Sequence, residues 1–140
     1  MTRSPSLAAA LFVLALTGCG SSSVPDDSVK RDLLEGISQI RNTHDYKDLR
    51  PQVARTITRL RQDRAPTAAE RRAKDLAIRG FGSTLEGVDS EIDFVENDRG
   101  EIRAATRDAE RATRSLKRGA RLLRAAGRIL GVRIGTINEL

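Results

Sequence analysis

Between Ile78 and Val95 the apolar residues Ile78, Phe81, Leu85, Val88, Ile92 and Val95 fall alternately three and four apart, the seam of a packed helix. After Asn97-Asp98-Arg99-Gly100 the rhythm returns at Ile102, Ala105, Ala109, Ala112, Leu116 and Gly119. A chain folded back at that turn joins the two seams in one register, with 95 against 102, 92 against 105, 88 against 109, 85 against 112, 81 against 116 and 78 against 119. Large residues then mostly face small ones, as close packing requires. Carried further, the register sets Lys74 against Leu123 and Arg71 against Ala126, so a two-helix seam ends there and other elements must cover the remainder. The pattern predicts an antiparallel helical hairpin over residues 67 to 131.

The preceding residues supply those other elements. Asp26, Asp27 and Ser28 offer helix caps ahead of Val29, Leu33, Ile37 and Ile40, which recur at helical spacing with Leu34 beside them, so a first helix is expected to about Arg41. Asn42-Thr43-His44-Asp45 interrupts the pattern. Leu49, Val53, Ile57 and Leu60 mark a second helix to about Arg64, with Pro51 tolerable only near its start. Ala65-Pro66-Thr67 stops the chain, and Thr67-Ala68-Ala69-Glu70 restarts it with the spacing of a capping box. Strand-like alternation is confined to Val132, Ile134 and Ile137. The expected fold is all-α, a small bundle of about four helices in a single domain over residues 26 to 140, the last two forming the long hairpin.

Ahead of that domain, Arg3 precedes an apolar run from Leu7 to Leu16 that is too short to span a bilayer as a stable anchor. It ends in Leu16-Thr17-Gly18-Cys19, followed by Gly20-Ser21-Ser22-Ser23. This segment resembles the signal peptide and lipobox of bacterial lipoproteins. The resemblance implies removal of residues 1 to 18, with Leu16, Thr17 and Gly18 read by the signal peptidase. It also implies lipidation of Cys19 and localisation at a membrane, lipid-anchored on its extracytoplasmic face. Two acyl chains, at about 0.8 kcal/mol per buried methylene, give a stable anchor where one is marginal. Cys19 is the only cysteine, so a lipidated chain has no thiol left for a disulfide, a metal or a catalytic nucleophile. The tether over residues 19 to 25 keeps the domain near the headgroups, since its six residues from Gly20 to Pro25 reach at most roughly 20 Å.

No enzyme signature accompanies this address. Glu86, Asp89, Asp93 and Glu96 share one flank of the third helix, but a helical di-metal site also uses Glu-x-x-His pairs and the single histidine, His44, stands in a predicted loop beside Asp45. A solvated acidic flank and a turn histidine are the simpler readings. Gly80-Phe81-Gly82 lacks the strand-to-helix setting of a phosphate loop. Catalysis, metal and cofactor are therefore not expected. With the signal peptide removed, the only aromatics are Tyr46, Phe81 and Phe94, too few for the stacking platforms of single-stranded nucleic acid, and that partner also belongs to another compartment.

Charge is the more informative pattern. The chain carries +6, and loss of Arg3 with the signal peptide leaves +5. Residues 86 to 101 hold seven acids against Arg99, whereas residues 102 to 133 hold nine arginines and Lys117 against Asp108 and Glu110. Arg107, Arg111, Arg114, Arg118, Arg121 and Arg128 each follow a seam position by two residues, about 200° round the helix, and form a stripe opposite the core. Guanidinium groups suit phosphate and carboxylate, so the stripe is a candidate anionic-surface contact as well as an ordinary solvated face. Leu122 to Ile137 is amphipathic and basic; it is expected to pack on the bundle, with membrane contact as the alternative. Gly127, Gly131 and Gly135 recur every fourth residue, a spacing that permits close helix approach. The expected role is a lipid-anchored binding or structural module of the cell envelope. Its partners would be the membrane through covalent lipid, together with anionic headgroups, acidic wall polymers or another envelope protein.

Overall fold

A computed structural model describes residues 27–96 and 102–137. These residues form an all-α bundle of four helices, α1 (Ser28–Asn42), α2 (Tyr46–Gln62), α3 (Ala68–Glu96) and α4 (Ile102–Ile129). Leu16, Thr17, Gly18 and Cys19, read above as resembling a lipobox, and Asn97 to Gly100, where a turn is expected, lie outside the described residues.

Helix boundaries follow from local chemistry. The Asp45 carboxylate accepts the Lys47 N–H at 2.7 Å and opens α2 three residues ahead of its first apolar position. Pro51 then falls in the second turn, where it withholds one bond from the ladder. At α3 the capping box closes both ways, with Thr67 N–H on Glu70 Oε2 at 2.8 Å and Glu70 N–H on Thr67 Oγ1 at 3.1 Å. Two cations of α3 reach back over the preceding turn. Lys74 Nζ donates to the Arg61 and Asp63 carbonyls at 2.9 and 2.6 Å, and Arg71 donates to the Pro66 carbonyl at 2.7 Å. Lys74 thus satisfies acceptors at the negative end of α2, and Arg71 one in the loop that follows it.

The end of α4 is a Schellman turn, with Val132 N–H on the Gly127 carbonyl at 2.9 Å, Gly131 N–H on the Arg128 carbonyl at 3.3 Å, and Gly131 at φ +67°. The chain then doubles back. Ile134 covers Gly127, Gly135 meets Arg41, and Leu130, Val132, Ile134 and Ile137 pack against the core. Val132 to Ile137 is thus an irregular strap with no strand, and the three periodic glycines share no helix face: Gly127 lies under Ile134, Gly131 turns the chain and Gly135 lies beside Arg41, the helix ending before the last two.

The core contains the expected stripes of α1 and α2 in full: Val29, Leu33, Ile37 and Ile40 meet Leu49, Val53, Ile57 and Leu60. α3 is the shared wall, packed against α1, α2 and α4, while α2 and α4 do not touch. Phe81 sits where three helices converge. A Cβ built on Gly36 of α1 would lie 2.5 Å from Phe81 Cζ and 2.7 Å from Thr56 Cγ2 of α2, so only glycine admits the ring.

The hairpin forms, but its interface corrects the sequence register. Leu123 packs on Gly80 in place of Lys74, Leu116 on Gly87 in place of Phe81, and Gly119 on Thr84 and Gly80 in place of Ile78. Val95 and Ile102, expected to face one another, are 63% and 90% exposed. The reason is that α3 has two working faces. Gly80, Thr84 and Gly87 form a shallow groove for the leucines of α4, while Phe81 and Val88 are fully buried in the core shared with α1 and α2. Ile78, Leu85 and Ile92 are partly buried at its edge.

Gly119 should therefore be sensitive to a single methyl. An added Cβ would meet the Gly80 carbonyl at 2.9 Å and the Thr84 N at 3.1 Å, both backbone, whereas one on Gly82 meets nothing within 4 Å. Gly119→Ala is expected to lower stability by about 1–3 kcal/mol, and Gly82→Ala to raise it by about 0.5–1 kcal/mol. Urea midpoints at equal m-values check the pair.

Candidate functional site

Polar side chains gather in three places. The first lies between α1 and α2, where Asp32 is buried. Its carboxylate faces Arg59 at 3.7 Å and Arg31 at 3.5 Å. Arg59 also bridges to Glu35 at 2.8 Å, Glu35 accepts from Gln39 at 3.2 Å, and Gln39 accepts from Thr56 at 3.1 Å. Sequence reasoning had not singled out this network. Asp32 stands on the apolar side of α1, one residue before Leu33, and only the tertiary fold shows which cation reaches it. Its partners belong to the two helices it joins, which is a structural role.

The second cluster is the acidic flank of α3, where Glu86, Asp93 and Glu96 are exposed and Asp89 is half-buried, and two of the four acids are paired. Arg50 Nε lies 2.6 Å from Asp89 Oδ1, and Lys47 Nζ lies 2.8 Å from Glu96 Oε1. The Glu96 bond raises the Lys47 pKa, and partial burial together with Glu91 raises that of Tyr46. The start of α2 thus pairs two of the acids near the end of α3. Among the described residues no group of three His, Cys, Asp or Glu side chains is placed to hold a metal. His44 is exposed in the α1–α2 connection.

The third is the outer face of α4. Ala112, Gly119, Leu123 and Ala126 are buried, and all six stripe residues, Arg107, Arg111, Arg114, Arg118, Arg121 and Arg128, are exposed opposite them. The stripe is not uniform. Arg111 lies 3.9 Å from Asp108, Arg114 lies 3.3 Å from Glu110, and Arg107 donates to the Arg103 carbonyl at 3.2 Å. Beyond Arg114, no carboxylate among the described residues comes within ion-pair distance of the exposed stripe. Lys117 and Arg124 belong with it, since a surface hollow of about 530 Å³ runs among Arg114, Lys117, Arg118, Arg121 and Arg124. At 100° per residue both stand on the flank of the stripe, outside the line opposite the seam but on the same side of the helix.

A deeper groove of about 330 Å³ lies between α1, α3, α4 and the strap, lined by Ile40, Thr84, Glu91, Thr113, Leu116 and Ile137, with Lys117 at its edge. No helix among the described residues is long and apolar enough to cross a membrane. No family model, curated protein or solved structure matches the chain.

The clusters separate in their effect on stability. Replacing Arg107, Arg114 and Arg121 together by Gln should leave helicity unchanged and stability within about 0.5 kcal/mol per site, because exposed positions contribute little. Arg59→Ala should cost about 1–3 kcal/mol by removing a partner of the buried Asp32. Thermal melts followed by circular dichroism distinguish the two.

Proposed function

We propose that this chain is a lipid-anchored helical binding module on the extracytoplasmic face of a bacterial membrane, without enzymatic activity of its own. The address rests on Leu16-Thr17-Gly18-Cys19 after a short apolar run. The observation that carries a binding role is the outer face of α4, where cations project from a helix whose opposite side is packed against α3. A guanidinium row on a rigid helix presents paired donors at fixed spacing, the geometry that carboxylate and phosphate accept.

A second reading concerns the partner. The lack of carboxylate partners beyond Arg114 favours an anionic surface, lipid headgroups or acidic wall polymer, over a neutral protein patch. Attraction to such a surface is a summed field screened over roughly 8–10 Å at physiological salt, so it weakens steeply as ionic strength rises. Contact with a specific envelope protein largely survives the same change.

Fatty-acid labelling of the full chain tests the address. The wild type is expected to incorporate label and fractionate with membrane, and Cys19→Ser to lose both the label and processing at Gly18. A Cys19→Ser protein that is still cut there and still carries lipid would overturn the assignment.

A further inference from the structure

The fold gathers segments distant in sequence at one end of the bundle. Asp27, where the described chain begins, lines the same hollow as Glu70 in the first turn of α3 and Ile129 and Leu130 at the end of α4. Lys74 and Arg71 hold the end of α2 nearby. This end carries Lys30 and Arg31 from α1, Arg61 and Arg64 from the end of α2, and Arg72 beside Arg71 on α3. Arg124 and Arg128 complete it from α4. Its carboxylates are Asp27, Asp32, Asp63, Glu70 and Asp75; Asp32 is buried beside Arg59, Glu70 closes the Thr67 capping box, and Asp75, which shares a hollow with Arg71 and Lys74, lies 3.7 Å from Arg79.

The opposite end is richer in acids, although Lys47 and Arg50 pair with two of them and Arg103 and Arg107 stand in the first turns of α4. Asp89, Glu91, Asp93 and Glu96 line the last turns of α3, and Asp108 and Glu110, the acids of α4, stand near its start. From Arg111 to Asn138 the sequence holds eight cations and no acid. Charge is thus sorted along the bundle axis, with the basic pole where the chain enters from Cys19.

We propose that this basic pole, with the adjoining outer face of α4 from Arg118 to Arg128, is a docking surface for anionic phospholipid headgroups, and that it seats the domain with its acidic pole away from the membrane. Two facts select lipid as the occupant. The surface is cationic where lipid offers phosphate oxygens, and a guanidinium pairs with phosphate through two parallel hydrogen bonds. The segment from Cys19 to Asp27 reaches at most roughly 28 Å and joins the domain at this same pole, so the anchor delivers these cations to within the surface potential of the leaflet. The orientation and the second of these arguments rest on the lipid-anchor reading above; the cationic surface and its match to phosphate do not.

The test uses soluble residues 26–140, which contain every buried side chain of the described fold. They are sedimented with vesicles of phosphatidylglycerol and phosphatidylcholine mixed equally, and with phosphatidylcholine alone. Binding is expected to the mixed vesicles only, and to be lost in high salt. Exchanging Arg118, Arg121 and Arg128 for Gln should weaken it at least about tenfold, given up to about a fivefold contribution per basic residue near an anionic surface. The same exchange at Arg103, Arg107 and Arg111 should weaken it less than about threefold, and Lys at the first three positions should restore most of the binding. Circular dichroism confirms that each variant keeps its helices. Failure to bind mixed vesicles, binding instead to soluble polyphosphate alone, or equal losses from the two triple variants would overturn the docking surface. Fatty-acid labelling of the full chain is read separately. A labelled chain whose soluble segment ignores vesicles sinks the surface and leaves the anchor. Vesicle binding by the segment of an unlabelled chain sinks the anchor and the orientation, and leaves the surface.

Discussion

The arrangement of the bundle depends on how closely α4 approaches α3. Gly119 lies against Thr84 and the Gly80 carbonyl, Leu123 rests on Gly80, and Leu116 rests on Gly87. With side chains at those glycines the axes would have to separate toward the upper part of the usual 8–10 Å range. Leu123 would then lose the enclosure that makes it fully buried. The close approach also decides what α3 does elsewhere. Because small residues serve α4, Phe81 and Val88 are available to the core shared with α1 and α2, and the Phe81 ring reaches the gap left by Gly36. One helix with two different faces joins both halves of the fold.

That double use explains which parts of the structure were legible in sequence. The stripes of α1 and α2 serve one buried side each, so the spacing of Val29, Leu33, Ile37 and Ile40, and of Leu49, Val53, Ile57 and Leu60, identified the buried residues directly. The Thr67–Glu70 box was equally readable, because its partners are three residues apart and need no tertiary contact. The hairpin register was not. A seam traced by large side chains assumes that these face the next helix in sequence, whereas here they face helices that precede it. The signal for the true interface is the run Gly80, Thr84, Gly87, which a search for apolar bulk passes over. The strap was ambiguous for another reason. Gly131 turns the chain by adopting a positive φ, and the periodicity of Val132, Ile134 and Ile137 says nothing about where that turn directs it.

The charge pattern was legible as composition but not as geometry. The sequence shows acids before residue 101 and arginines after it, which invites pairing of the two helices across the hairpin. The pairs lie elsewhere. α3 turns its acids toward α2, where Arg50 meets Asp89 and Lys47 meets Glu96. The α3–α4 interface is instead made of glycine, alanine, threonine and leucine. The cations of α4 consequently have few internal partners, and their field points outward.

A solvated helix needs polar residues, but it does not need them to share a sign. Like charges three or four apart cost a helix about 0.2–0.5 kcal/mol per pair, and opposite charges at the same spacing contribute about as much in its favour. Arg114, Arg118 and Arg121, with Lys117 and Arg124 beside them, therefore make α4 less stable than an alternation with glutamate would. The helix dipole explains part of the pattern, since cations in the last turn meet the negative end; that covers Arg128 and does not extend to the middle of the helix. Solubility gives no reason for the choice either, as added carboxylates serve it better than added cations. What remains is a helix that carries self-repulsion along a surface that no carboxylate among the described residues pairs beyond Arg114. On the docking surface proposed above an external anion would remove that repulsion on contact, and the interaction would be strongest along the C-terminal half of α4, where no described carboxylate pairs with the stripe, and weakest where Asp108 and Glu110 already lie beside the arginines.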